Sequence, residues 1–190
     1  MKKIPSLFER DWNGDRSRVL NKVTPGCEWV MEGHGVPTRK WDGTCCKVEA
    51  GLLHKRYDAK QGKTPPEGFV PAQEPDPITG HWPGWLPVRD VPEDRWFREA
   101  WNSLKSGTLK DGTYELVGPK INGNPEGYDQ HTLILHGWQP FYRFPTPPTF
   151  ETVRDFLEAN VIEGIVWHNL DGRMAKAKRI DFGFPWGSRK

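Results

Sequence analysis

Three short stretches of the chain carry residue types that could do chemistry together. The first is Lys40-Trp41-Asp42-Gly43-Thr44, a lysine beside an Asp-Gly turn. By itself this is the sequence of a plain hairpin, and Lys110-Asp111-Gly112-Thr113 shows how common such turns are. The second is Lys176-Ala177-Lys178. On a strand, residues two apart share a face, so both ammonium groups project together. Like charges so placed repel unless an anion sits between them or water screens them, as on a solvated edge. The third is a pair of carboxylates, Glu115 in Tyr-Glu-Leu-Val-Gly and Glu163 in Glu-Gly-Ile-Val-Trp. An acid in an otherwise apolar strand faces water, pairs with a cation or ligates something.

The elements that must position these residues read as follows. Residues 28–32 and 44–49 are expected to be strands, with a tight turn at Asp42-Gly43 before the latter. Residues 57–92 are rich in Pro and Gly, and the stretch is expected to be irregular. Lys55, Arg56, Lys60 and Lys63 cluster at its start, which makes it a candidate substrate-facing loop. A helix is expected over 92–106, with Pro92 in its first turn and Gly107 as its stop. Its stripe of Trp96, Phe97, Ala100, Trp101 and Leu104 reads as packing. A second helix is expected over 149–160, capped by Thr149, with Phe150, Val153, Phe156 and Leu157 facing inward. Strands are expected at 113–118, 131–136, 162–168 and 173–179. This order predicts an α+β fold with an antiparallel or mixed sheet and flanking helices.

Composition bounds the rest. The 190 residues suggest one domain, with room for a core built without disulfides or metals. Lys and Arg total 27 against 25 Asp and Glu, which excludes a polycation or an acidic tail protein. A local basic site for nucleic acid remains compatible with that balance. Ten Trp, 18 Pro and 20 Gly favour sheets and turns over a helix bundle. No apolar run reaches membrane-spanning length, and MKKIPSLFERDW lacks the apolar core of a secretory signal. Three cysteines, two of them adjacent, fit neither a disulfide framework nor a zinc knuckle, so a reducing, cytoplasmic compartment is expected.

In order, the motifs are Lys-x-Asp-Gly-Thr, Lys55-Arg56, Glu-Leu-Val-Gly-Pro, Glu-Gly-Ile-Val and Lys-x-Lys. The series resembles the covalent nucleotidyltransferases, which include polynucleotide ligases and mRNA capping enzymes. Lys40–Cys46 together with Tyr114-Glu115-Leu116-Val117-Gly118-Pro119-Lys120 is most similar to the 5′-to-3′ RNA ligase 1 family. The resemblance implies a single ATP-grasp-like adenylation domain over 1–190 without an OB-fold domain. It implies an ATP-dependent RNA ligase, working in RNA repair, that joins 5′-phosphate to 3′-hydroxyl RNA ends; a monomer away from membranes is expected.

The resemblance also implies roles. Lys40 would attack ATP and keep AMP as a phosphoramidate, while Lys176 and Lys178 would contact the α-phosphate. Glu163 would serve a Mg²⁺ or Mn²⁺ ion, and Glu115 would accept hydrogen bonds from the ribose. Arg56 would touch ribose or phosphate, with Lys55 as the fallback. Asp42 and Gly43 would shape the turn beside the nucleophile, Asp42 would also contact the ribose or the metal, and Val166 would form the aliphatic side of the adenine pocket. The aromatic side stays open among His136, Trp138, Phe141 and Tyr142; Arg39 receives no role. A DNA ligase, a capping-type guanylyltransferase and an inactive RNA-binding module of the same fold are the alternatives.

Overall fold

The computed structural model describes residues 2–104 and 109–187. Chain contacts divide it into two compact units, one of Met1–Lys3 and Asp42–His136, the other of Ile4–Trp41 and Gly137–Lys190. Antiparallel sheets with few helices make each of them, as α+β predicts.

The unit of Ile4–Trp41 and Gly137–Lys190 is built on a three-stranded antiparallel sheet. Its centre is β10 (Gly164–His168), flanked by β3 (Val36–Lys40) and β11 (Met174–Lys178). Alternation decides its two faces. Ile165, Trp167, Ala175 and Ala177 are fully buried in an apolar core with Leu7, Val30, Val153 and Leu157. The last two come from α3 (Phe150–Ala159), where the expected cap is present: the Thr149 hydroxyl accepts from the Thr152 amide, and Thr152 returns the bond. A hairpin of β1 (Phe8–Arg10) and β2 (Val19–Val23) packs on the same core through Phe8.

Residues 28–32 are not a strand. Glu28–Met31 form a short helix, α1, which buries Trp29 and Val30. The Gly26 amide donates to the Glu28 carboxylate, and Gly33 ends the turn at φ +86°. In so short a segment, the flanking Gly26 and Gly33 rather than the apolar Trp29 and Val30 set the local structure.

The unit containing Asp42–His136 is a six-stranded antiparallel sheet in the order β6-β7-β5-β4-β8-β9. These strands are Val70–Pro71, Trp82–Pro87, Leu52–Ala59, Thr44–Glu49, Gly112–Val117 and Thr132–Leu135. Cys46, Val48, Tyr114 and Leu116 point to one face and pack on Phe97 and Ala100 of α2 (Arg95–Asn102). A 3₁₀ turn at Pro92–Asp94 precedes α2, which stops at Asn102, short of the expected 106. Residues 105–106 and the expected stop at Gly107 lie outside the described residues.

The stretch 57–92 is not one irregular loop. It holds the end of β5, all of β6, and β7, which lies between them in the sheet. Pro83 and Pro87 argued against a strand, yet they sit opposite Asp58 and His54, and Pro83 still accepts from the Ala72 amide. Lys60 and Lys63 are exposed.

The Asp42-Gly43 segment is likewise not a hairpin turn. The strand before it pairs with β10 and the strand after it pairs with β5 and β8, so it carries the chain from one sheet to another.

Candidate active site

Register on the three-stranded sheet brings the lysines together. Gly164 lies opposite both Lys40 and Lys178, and Val166 lies opposite both Thr38 and Lys176. These six positions share the face turned away from the core. A Cβ at Gly164 would fall 2.2 Å from the Ala177 carbonyl, so the middle of the row must stay bare. Glu163, just before the strand and 5% exposed, reaches Lys40: its Oε2 accepts from Nζ at 2.5 Å. Three ammonium groups and one carboxylate therefore meet on this face.

Lys176 is no solvated edge residue. Its amide donates to Pro5 and its carbonyl accepts from Leu7, so the N-terminal segment covers the outer side of β11. Burial first, then the Lys178 and Lys40 ammonium groups, push its pKa down from the usual lysine range to about 8, against the pull of Glu163 and Asp181. A half-buried cation held among like charges is a seat for an anion.

The shift has a stability consequence with a definite sign. Between about pH 8 and the ordinary lysine pKa, the unfolded chain binds a proton that the folded protein lacks, so this residue's contribution to stability rises with pH there. Lys176→Met is expected to stabilise the protein at pH 7, by up to about 3 kcal/mol. That gain shrinks toward zero by about pH 10.5. Urea unfolding of both proteins across this range checks it; a gain that does not vary with pH would refute the assignment.

In the other unit, Asp42 is buried. Its amide donates to Glu126 at 2.8 Å, and its Oδ1 accepts from Asn122 at 2.8 Å. Asn122 also donates to the Gly43 carbonyl at 2.9 Å. Gly43 in turn donates to Glu115 Oε1 at 3.2 Å. Glycine is needed at 43 for space: a Cβ would fall 2.2 Å from the Leu116 carbonyl and 2.8 Å from Glu115 Cγ. Gly43→Ala is therefore expected to cost about 1–3 kcal/mol by overpacking. A melting temperature equal to the parent's would contradict this contact.

Glu115 stands opposite Cys45 and also meets His136, whose Nε2 is 2.8 Å from Oε2. Arg56 stacks over Trp85 at 5.4 Å and donates to Asp58 at 3.2 Å. Lys55, one residue before, belongs to the opposite face, where it pairs with the almost fully buried Asp94. That ion pair removes Lys55 as a fallback for Arg56.

The aromatic candidates separate by burial. Phe141 packs on the core, whereas Trp138 and Tyr142 are largely exposed. His136 is held by Glu115 and Thr113. Asn122 and Glu126 went unnoticed in the sequence, because polar residues in a Gly-Asn loop read as ordinary turn formers.

A sequence model of the RNA ligase 1 family matches residues 100–190, a span that holds Glu115, Glu163, Val166, Lys176 and Lys178. The RNA ligase 1 of Pongo abelii is 28% identical across 80% of this chain and 68% of its own length. That of Danio rerio is 29% identical across 97% of this chain and 81% of its own. The chain resembles the RNA ligase 1 family. The RNA ligase 1 of Rattus norvegicus adds a third match, 28% identical over 80% of this chain. Among the described residues, no helix is long and apolar enough to cross a membrane.

Proposed function

We propose that the protein is an ATP-dependent RNA ligase with an ATP-grasp-like adenylation domain, acting through a lysyl-AMP intermediate in RNA repair. The observation that carries this reading is Lys40 held against Glu163 on the sheet face it shares with Lys176 and Lys178.

Lys40 Nζ must shed a proton before it can attack, and the Glu163 carboxylate at 2.5 Å is the acceptor in reach. A nitrogen–phosphorus bond then forms at the α-phosphorus of ATP as the bond to pyrophosphate breaks. Lys176 and Lys178 hold the phosphate oxygens through charge-assisted hydrogen bonds, which strengthen as negative charge builds. Glu115 and Arg56 bind the ribose and phosphate, Asp42 and Gly43 set the backbone beside them, and Val166 offers an aliphatic surface to the base. The 5′-phosphate of an RNA end then takes AMP from Lys40, and a 3′-hydroxyl displaces it. We place the protein in the cytoplasm as a monomer.

A Mg²⁺ or Mn²⁺ ion fits this site only in company. The lysine cluster supplies one carboxylate and an excess of positive charge, so phosphate oxygens and water would have to complete the oxygen shell that a hard cation needs. Such an ion would neutralise phosphate charge. Glu163 could serve it once Lys40, as a neutral phosphoramidate, no longer claims the carboxylate.

Incubation with α-labelled ATP, GTP or NAD separates this reading from its rivals. Covalent label from ATP alone, followed by sealing of 5′-phosphate RNA in preference to matched DNA, is the expected result. Label from GTP would indicate a capping-type enzyme, and label from no nucleotide would overturn the enzymatic reading.

A further inference from the structure

Cys45, Glu115 and His136 each present a ligand atom, and these three atoms lie within 4.8 Å of one another. We propose that they form a binding site for Zn²⁺, and that zinc bound there inhibits the protein.

The sheet builds the site. Cys45 on β4 and Glu115 on β8 are direct cross-strand partners on the face turned away from the core. His136 follows β9, and its amide donates to the Thr113 carbonyl at 3.0 Å, which fixes its backbone beside β8. Its ring is fixed as well: Nδ1 lies 2.9 Å from the Thr113 hydroxyl, while Nε2 faces Glu115 at 2.8 Å. A histidine whose second nitrogen is held by a hydroxyl is oriented as metal-bound histidines are.

The donor set selects the ion. One thiolate, one imidazole and one carboxylate suit Zn²⁺, whereas Mg²⁺ prefers oxygen alone. Tetrahedral zinc bonds of about 2.0–2.3 Å set ligand atoms roughly 3.3–3.7 Å apart, so His136 Nε2 and Glu115 Oε2 must part slightly from their 2.8 Å contact to admit the ion. Binding releases the Cys45 thiol proton to solvent and places the histidine proton on Nδ1, donating to Thr113 Oγ1. Three protein ligands leave the fourth tetrahedral position open to water.

Inhibition follows from Glu115. With Oε2 on zinc and Oε1 accepting from the Gly43 amide, Glu115 has little acceptor capacity left for a ribose. This part rests on the role proposed above for Glu115, whereas zinc binding itself does not.

Titration of the full chain with Co²⁺ as a spectroscopic stand-in tests binding directly. The expected result is one equivalent bound, with a thiolate-to-cobalt charge-transfer band that added Zn²⁺ abolishes and Mg²⁺ leaves. Cys45→Ser should lose the band, and Thr113→Val should weaken binding by about tenfold or more. In the unaltered protein, Zn²⁺ should protect Cys45 from alkylation as read by peptide mass, which needs no variant to fold. A band that persists in folded Cys45→Ser, the absence of any band, or alkylation indifferent to Zn²⁺ would each overturn the site. If zinc binds but leaves AMP transfer to Lys40 unchanged, the inhibition and the ribose role of Glu115 fall while the metal site stands.

Discussion

Lys40→Arg is expected to abolish formation of the AMP adduct while leaving the fold intact. Arginine preserves a cation for Glu163, which otherwise stays buried beside Lys176 and Lys178 with its nearest partner gone. A guanidinium, however, stays protonated and offers no lone pair for attack. Removal of a nucleophile costs about 10⁴-fold or more in rate where it has been measured, enough to take adduct formation below detection. Intact mass after incubation with ATP reads this directly: one added AMP on the parent protein and none on the variant. An adduct of equal extent on Lys40→Arg would move the nucleophile elsewhere, and peptide mapping of the label would identify it.

The second large effect is on stability. Glu163→Gln leaves three ammonium groups facing each other, one of them buried enough for its pKa to fall to about 8. Removing one partner of a buried ion pair typically costs about 3–5 kcal/mol, because the remaining charge is left uncompensated. Lys40→Met in the same protein should recover most of that loss, since replacing both partners of a buried pair is often neutral. Urea unfolding of the two single variants and the double variant closes the cycle. If the double variant is no more stable than Glu163→Gln, the Lys40–Glu163 pair does not set the electrostatics of this face.

Much of the lysine cluster was legible because strand alternation leaves few choices. Lys176-Ala177-Lys178 forces two ammonium groups to one side and small apolar residues to the other, and the buried Ala175 and Ala177 follow that rule. Thr149 announced its helix through local chemistry. What was not legible depends on long-range pairing. Nothing near Val36–Lys40 says that this segment is a strand, because its partner is β10. Pro83 and Pro87 hid β7 for a similar reason: whether a proline breaks a strand depends on which side lacks the donor. The pairing of Glu163 with Lys40 could be suspected from charge, but only register supplies it. Asn122, which holds both Asp42 and Gly43, carries no signal in a single sequence.

The strand pairing of Lys40 also sets a timetable. Its ion pair spans 123 residues of sequence, and its neighbouring strand is made only after every residue of β4 through β9. A ribosome releases the chain from its N-terminus at about 5–20 residues per second, so Lys40 emerges several seconds before anything can hold it. Contacts of this separation close late. By contrast, residues 42–136 form a continuous segment that holds all six strands of its sheet. It can mature while the lysine strand still waits. A released chain ending between residues 136 and 164 would therefore hold all six strands of that sheet while Lys40 lacks its β10 partner. The lysine cluster is thus among the last features of the fold to assemble.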